Sequence, residues 1–384
     1  MKPSILLVVL ALVVAACGGG ATPGGDEPPA ADGAADVSEP ADGGSSPSDG
    51  ERRSGADVDG PSIWVVGNEG FTMLRYTPDL KLADRSDEFL GDLEMGLTVG
   101  FVSLAGDLWF TYQDELADRL VRVDTGDYEI TSTVDLPTYP LFVTRGRDRL
   151  WVTYDDEPTV TRIAADGTAA AISTGSEVLP TKVIETGNGV WLLDALENRM
   201  YRMDPETGSL DLAIEGLATA RILGSAAVGD AIWTTVEDPI DFLLRLRPEE
   251  GISDRIWCED ASGTCDAYPD ELFATAELEG GAFFALDIVE IDGMVYVAGG
   301  SPDLFYDTLP LYEIDPESLQ IVNRLDLEPI AGMVELGGDL FVVVSTNADE
   351  TACGRVYRID PSSLDVVDQV DLPDDVCPNG LDVG

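Results

Sequence analysis

From residue 61 to the C-terminus, short runs of apolar residues alternate with polar ones and are broken by Gly, Asn, Asp or Pro. Period-two alternation of this kind marks half-buried β-strands, and no stretch carries the longer period of an amphipathic helix. Two signatures recur. The first is an apolar-aromatic run: Ile63-Trp64-Val65, Leu108-Trp109-Phe110, Leu150-Trp151-Val152, Val190-Trp191-Leu192, Ile232-Trp233-Thr234, Val295-Tyr296-Val297 and Leu340-Phe341-Val342. The second follows each first one: Leu74-Arg75-Tyr76, Val121-Arg122-Val123, Thr161-Arg162-Ile163, Tyr201-Arg202-Met203, Leu244-Arg245-Leu246, Tyr312-Glu313-Ile314 and Tyr357-Arg358-Ile359. Asp-Pro or Asp-x-Gly often closes the second run, as turn chemistry requires. A third strand follows, such as 129–136 or 365–372, and a fourth precedes the next aromatic. The fold class is all-β.

The aromatic centres are 45, 42, 40, 42, 63 and 45 residues apart. A period in the low forties is that of a four-stranded propeller blade, so the reading is a seven-bladed β-propeller over 61–384. The chain enters its first blade at the aromatic strand, which is second from the centre. It ends on Asn379-Gly380-Leu381-Asp382-Val383-Gly384, an innermost strand with no aromatic strand after it. The C-terminal inner strand is therefore expected to complete the N-terminal blade and close the ring, removing exposed sheet edges.

The stretch Gly187-Asn188-Gly189-Val190-Trp191-Leu192, then Tyr201-Arg202-Met203-Asp204-Pro205-Glu206-Thr207-Gly208, resembles the repeat of YVTN-type and streptogramin-lyase-like propellers. The resemblance covers 61–384 and implies the fold, with the aromatic packed between blades and Asp-Pro making the turn. It implies no activity here. The lyase of that family relies on a histidine base, and this chain contains none.

The segment before the repeats reads differently. Lys2 precedes the apolar run 5–16, which is too short to span a bilayer but suits a signal peptide. Its end, Val14-Ala15-Ala16-Cys17, resembles the bacterial lipobox, in which the cysteine is lipidated and becomes the first residue. The expected organisation is thus a lipoprotein signal peptide at 1–16, a lipidated Cys17 with an acidic tether to residue 60, and the propeller. Residues 18–60 hold Gly, Ala, Pro, Asp, Glu and Ser almost alone, a composition that cannot offset the entropy of ordering. A flexible tether of that length reaches about 35–40 Å. The expected location is the extracytoplasmic face of a bacterial membrane, attached through the N-terminal lipid.

Composition then excludes whole classes of function. The net charge is −51, and the repeat region holds 63 acidic against 19 basic residues. Nucleic acid needs a basic stripe, so it is not a partner. Without histidine there is no Ser-His-Asp or Cys-His catalysis and no imidazole metal site. Acidity so widespread reads as a whole-surface solubility adaptation and does not mark one binding site. Beyond Cys17, four cysteines allow three pairings. Cys258–Cys265, across a short loop, and Cys353–Cys377, on one face of the ring, are the expected disulfides of an exported protein. A four-cysteine zinc site fits poorly, because no Cys-x-x-Cys pair exists.

Candidate ligand groups gather on the face carrying the loops after the second strand and before the first. They are Tyr112 and Asp114; Tyr154, Asp155 and Asp156; Glu237; and Asp303, Phe305, Tyr306 and Asp307, which sit in a long loop. Carboxylates beside aromatics suit a cationic ligand, a basic protein segment or calcium. No spacing matches a calcium loop, and no cofactor is identified. Two cations oppose this trend: Lys182 on an inner strand, and Arg221 at the corresponding place in the next blade, where an anion could bind. The leading reading is a monomeric, lipid-anchored propeller that binds a protein, peptide or glycan on its acidic, loop-rich face. The alternatives are a carboxylate- or divalent-cation-dependent lyase or hydrolase, and a passive structural lipoprotein.

Overall fold

The computed structural model describes residues 60–67, 72–86, 97–113, 118–155, 157–194, 197–215, 221–238, 240–259, 284–300, 309–345, 353–374 and 376–384. These residues form seven antiparallel four-stranded sheets and contain no helix. Each sheet is given from its innermost strand outward. Blade one is β28 (Pro378–Val383), β1 (Ile63–Gly67), β2 (Met73–Tyr76) and β3 (Leu82–Ser86). Blade two is β4 (Leu97–Leu104), β5 (Asp107–Gln113), β6 (Asp118–Val123) and β7 (Ile130–Leu136). Blade three is β8 (Pro140–Arg145), β9 (Arg149–Tyr154), β10 (Thr159–Ala164) and β11 (Ala169–Ser173). Blade four is β12 (Lys182–Thr186), β13 (Gly189–Asp194), β14 (Arg199–Met203) and β15 (Leu210–Glu215). Blade five is β16 (Arg221–Val228), β17 (Ala231–Asp238), β18 (Ile240–Arg247) and β19 (Ile252–Glu259). Blade six is β20 (Phe284–Ile291), β21 (Met294–Gly300), β22 (Leu309–Asp315) and β23 (Gln320–Leu327). Blade seven is β24 (Ile330–Leu336), β25 (Asp339–Ser345), β26 (Gly354–Asp360) and β27 (Asp365–Asp371). The chain is a seven-bladed β-propeller.

The register explains the two recurring signatures. Each aromatic centre on the second strand lies directly opposite the centre of the following signature: Trp64 with Arg75, Trp109 with Arg122, Trp151 with Arg162, Trp191 with Arg202, and Trp233 with Arg245. Phe341 faces Arg358, while Tyr296 faces Glu313. These aromatics are at most 2% exposed. The guanidinium carbons of Arg75, Arg122 and Arg202 lie 5.3, 5.6 and 5.7 Å from the ring centroids of their tryptophans, within range for cation–π attraction.

The arginine then reaches the neighbouring blade. Arg162 Nη1 donates to the carbonyl of Pro205, in the turn of blade four, at 2.8 Å. Arg245 Nη1 does the same to Pro316 of blade six at 2.6 Å. Blade six carries Tyr and Glu where most other blades carry Trp and Arg. There the Tyr296 hydroxyl supplies the missing bond, donating to Pro361 of blade seven at 2.9 Å. In these turns an aspartate accepts backbone N–H groups, as Asp204 does from Glu206 and Thr207, and Asp315 from Glu317 and Ser318. The fifth turn residue takes a positive φ. At Leu319 and Leu364 that backbone cost places a buried side chain between blades. Glycine fills the same place at 208, where a Cβ would come within 2.5 Å of Ile172 and 2.8 Å of the Ser173 carbonyl.

Closure follows the sequence expectation. The innermost strand of blade one is the C-terminal β28, paired antiparallel with β1 from Ile63↔Val383 to Gly67↔Pro378. Ser62 and Gly384 exchange reciprocal backbone hydrogen bonds of 2.9 and 3.1 Å. The Cys353–Cys377 disulfide ties the start of β26 to the residue before β28, with the two Cα atoms 4.7 Å apart. The other expected bridge lies outside the described residues at Cys265. Cys258 is placed by its backbone inside β19, opposite Phe242, and so belongs to the outer strand, not to a loop.

Replacing Cys353 and Cys377 by serine should lower unfolding free energy by about 2–4 kcal/mol, because the unfolded chain regains the entropy of a closed loop. Urea titration checks this. Equal midpoints would mean that the ring stays shut without the bridge.

Candidate functional site

The inner strands β28, β4, β8, β12, β16, β20 and β24 follow one another around the axis, each beside the next. Many of their residues are only half-buried, among them Phe101, Phe142, Thr144, Asp287, Val334 and Asp382.

Two aspartates on these strands share one arrangement. Asp287 on β20 accepts from its own neighbour Ile288 N at 2.9 Å and from Met333 N of the next inner strand at 2.8 Å. Asp382 on β28 accepts from Val383 N at 2.7 Å and from Ser103 N of the next inner strand at 2.6 Å. An innermost strand leaves one edge without a β partner, and these carboxylates satisfy its N–H groups while stitching adjacent blades. Burial pushes both carboxyls above the usual range, Asp287 to about 6.

Lys182 opens β12 at the loop-rich end of the channel and is only 8% exposed. Its Nζ lies 4.9 Å from the centroid of Phe142, on the preceding inner strand. Burial pulls the ammonium down to about 8, opposed by attraction to Asp287. Tyr139 is 48% exposed in the segment entering β8, and its carbonyl accepts from Asp155 N at 3.1 Å. Blades three and four thus present an exposed aromatic before β8 and, on the adjoining inner strands, a buried ammonium beside an aromatic ring.

The structure sorts the residues expected from sequence. Asp155 directly follows β9 of blade three, and Lys182 opens β12 of blade four. Tyr112 does not belong to a loop: it lies in β5, fully buried with Trp64 and Phe110. Tyr154 likewise ends β9 in the core, 2% exposed, with its hydroxyl donating to Thr161 Oγ1 at 2.5 Å. Burial raises that phenol to about 12. In both blades the aromatic strand runs further than its loop-like flank implied. Glu237 is also inside a strand, paired with Arg221 on β16 and Asp241 on β18. The side chains of Arg221 and Glu237, and residues Cys17, Asp114, Asp156, Asp303, Phe305, Tyr306 and Asp307, lie outside the described residues. Sequence reasoning missed Tyr139 and Phe142. Their signal was an aromatic on each side of Pro140, where a loop enters an inner strand. Among the described residues, no group of three or more Asp, Glu or Cys side chains is arranged to hold a metal ion.

No family model matches the sequence, and no curated protein matches it. Solved structures do. A catalytically inactive virginiamycin B lyase from Staphylococcus aureus, solved with quinupristin, superposes with a TM-score of 0.50 at 13% identity, covering 73% of this chain and 87% of the lyase. The dihydro-heme d1 dehydrogenase NirN superposes with a TM-score of 0.52 at 9% identity, over 81% of this chain and 63% of NirN. The likeness is one of fold alone.

The shifted groups set a pH window. An acid raised on folding contributes stability that is complete below about pH 4 and lost as pH climbs through its folded value near 6. A base lowered on folding contributes stability that is complete above about pH 10 and lost as pH falls through its folded value near 8. Both penalties act together between those folded values. At pH 7 the double variant Lys182→Met/Asp287→Asn should therefore unfold at higher urea than wild type, and each single variant below the double. A double variant less stable than wild type would show that the pair is net stabilising.

Proposed function

We propose that this chain is a lipid-anchored, extracytoplasmic binding propeller that holds a protein, peptide or glycan ligand at the mouth of blades three and four. The observation that carries the reading is the exposed Tyr139, bonded through its carbonyl to Asp155 N, on blades whose inner strands pair Phe142 with Lys182. Aromatic surface that stays open on a rigid scaffold, beside groups that can orient a polar ligand, is the usual make-up of a binding mouth. The anchor rests on the lipobox-like end of the apolar leader at Cys17. The Cys353–Cys377 bridge fits an oxidising compartment. The acidic tether, repelled by anionic headgroups, would hold the propeller clear of the membrane. Calcium belongs to the same proposal only as an accessory at rim carboxylates.

Two experiments test it. Globomycin should make the uncleaved precursor accumulate, and Cys17→Ala should do the same; normal processing of either would refute lipidation. Cross-linking on intact cells should capture a partner, and Tyr139→Ala combined with Asp155→Asn should reduce the yield roughly tenfold. Undiminished capture would place the binding surface elsewhere.

A further inference from the structure

We propose that the outer edge of blade three, along β11, takes up an extended segment of another protein as a fifth strand. The segment has a short neutral core with basic residues at both ends. This edge is a different surface from the mouth at blades three and four and does not depend on it.

The blades differ at their outer edges. An outermost strand turns alternate N–H and C=O groups toward solvent, and such a row is a template for pairing with another chain. Six of the outer strands are guarded. β3, β7, β15, β19, β23 and β27 each pair with the strand inside them through a register shift, which kinks the edge. Each of those strands also carries at least one Asp, Glu or Arg. In three of them an Asp or Asn just past the shift covers the next N–H with its own side chain. Asp84 accepts from Arg85 N at 2.8 Å, Asn323 from Arg324 N at 3.0 Å, and Asp368 from Gln369 N at 2.9 Å.

β11 has none of these devices. Its residues, Ala169-Ala170-Ala171-Ile172-Ser173, are uncharged and pair with β10 in unbroken register from Ile163↔Ala169 to Thr159↔Ser173. Two flanking bonds set the phase of that ladder: Ala164 N donates to the Thr168 carbonyl and Thr174 N to the Pro158 carbonyl, each at 2.9 Å. Antiparallel strands bond at alternate residues, so the backbone of Ala170 and Ile172 faces β10 and that of Ala169, Ala171 and Ser173 turns outward. The Ser173 end is narrowed, because a Cβ at Gly208 in the turn of blade four would come within 2.8 Å of the Ser173 carbonyl. The open stretch is therefore centred on Ala169 and Ala171, both exposed and too small to shield their own backbone.

Charge decides the occupant. Exposed carboxylates bracket the strand: Asp166 in the turn before it, and Glu157 and Glu177 toward its other end. A second copy of this chain would bring those carboxylates face to face, between domains of 63 acidic and 19 basic residues each. A segment with Lys or Arg outside a neutral core meets acids at both ends and backbone in the middle. Polypeptide is the class selected, because donors and acceptors at strand spacing are matched by another extended backbone.

The probe is a peptide with a Thr-Val-Thr-Val-Thr core between pairs of lysines. One control carries N-methyl groups at alternate core residues, and another replaces the lysines with glutamates. Binding to the full chain in detergent is measured by calorimetry, and protection of individual amides by hydrogen exchange. The lysine peptide is expected to bind and to slow exchange at Ala169 and Ala171, while neither control binds. Ala171→Pro removes an outward N–H and spares the β10 ladder. It should keep the unfolding midpoint and weaken binding roughly tenfold or more. Asp166→Asn with Glu177→Gln, both exposed, should weaken binding about threefold and leave the fold intact. The inference is overturned if the lysine peptide fails to bind, if the N-methylated control binds as well, if protection falls on another edge, or if either variant binds like wild type. A chain that dimerises through β11 without peptide would also overturn it, by making a second copy the occupant.

Discussion

The cross-strand pair of an aromatic ring and an arginine sets the geometry on which the propeller depends. A four-stranded blade is too small to bury both of its faces, so it must pack on its neighbours. The ring supplies the apolar bulk, and the guanidinium lies over it without being fully desolvated. A guanidinium is a planar fork, so at Arg162 and Arg245 it also reaches an acceptor in the neighbouring blade. The acceptor is the proline carbonyl of the next turn, at Pro205 and Pro316. Proline at that place lacks an N–H and leaves its carbonyl pointing outward. In blades three and five one cross-strand pair thereby fixes strand register within the blade and ties it to the next.

Blade six shows that the bond matters more than the residue that makes it. Arginine there is replaced by Glu313, and the aromatic becomes Tyr296, whose hydroxyl reaches Pro361 directly. A phenylalanine or tryptophan opposite Glu313 would leave the Pro361 carbonyl without this donor. The ring must also be shut, since a chain of blades that pack only on neighbours frays from its ends. Three independent devices meet at the junction: the β28–β1 ladder, the Cys353–Cys377 bridge, and the Asp382 stitch from β28 to β4. They act on different links, so the loss of any one leaves the others to hold the circle against the self-repulsion of an acidic surface.

The parts of this architecture that repeat were legible in sequence. Period two, aromatic spacing and Asp-Pro turns recur in blade after blade, and an orphan inner strand at the C-terminus implied closure. What repeats weakly was not legible. Inner strands face both the axis and the neighbouring blades, so Phe142 and Asp287 carry no fixed pattern. Tyr112 and Tyr154 were misplaced because an aromatic at a strand end, next to acids, reads like a loop residue. The register shows each still within the blade interior, at the level where the second strand leaves the core. The arginine in the second signature was visible but looked like ordinary alternation; only the register revealed it as half of a pair.

Net charge and local charge point in opposite directions at Lys182. The acidity is spread over the whole domain and keeps it soluble without choosing a ligand. A buried ammonium in such a protein is expensive twice over, through lost hydration and through the scarcity of lysine elsewhere. Replacing buried charge with apolar packing is commonly neutral or stabilising, so stability alone does not account for Lys182. Its neighbour Asp287 has a separate structural task in holding Met333, as Asp382 does in holding Ser103. Phe142 contributes attraction but would pack equally well against an aliphatic side chain. What remains distinctive is position: Lys182 opens an inner strand, almost fully buried, with its Nζ 4.9 Å from the centroid of Phe142 on the preceding inner strand and attracted to Asp287.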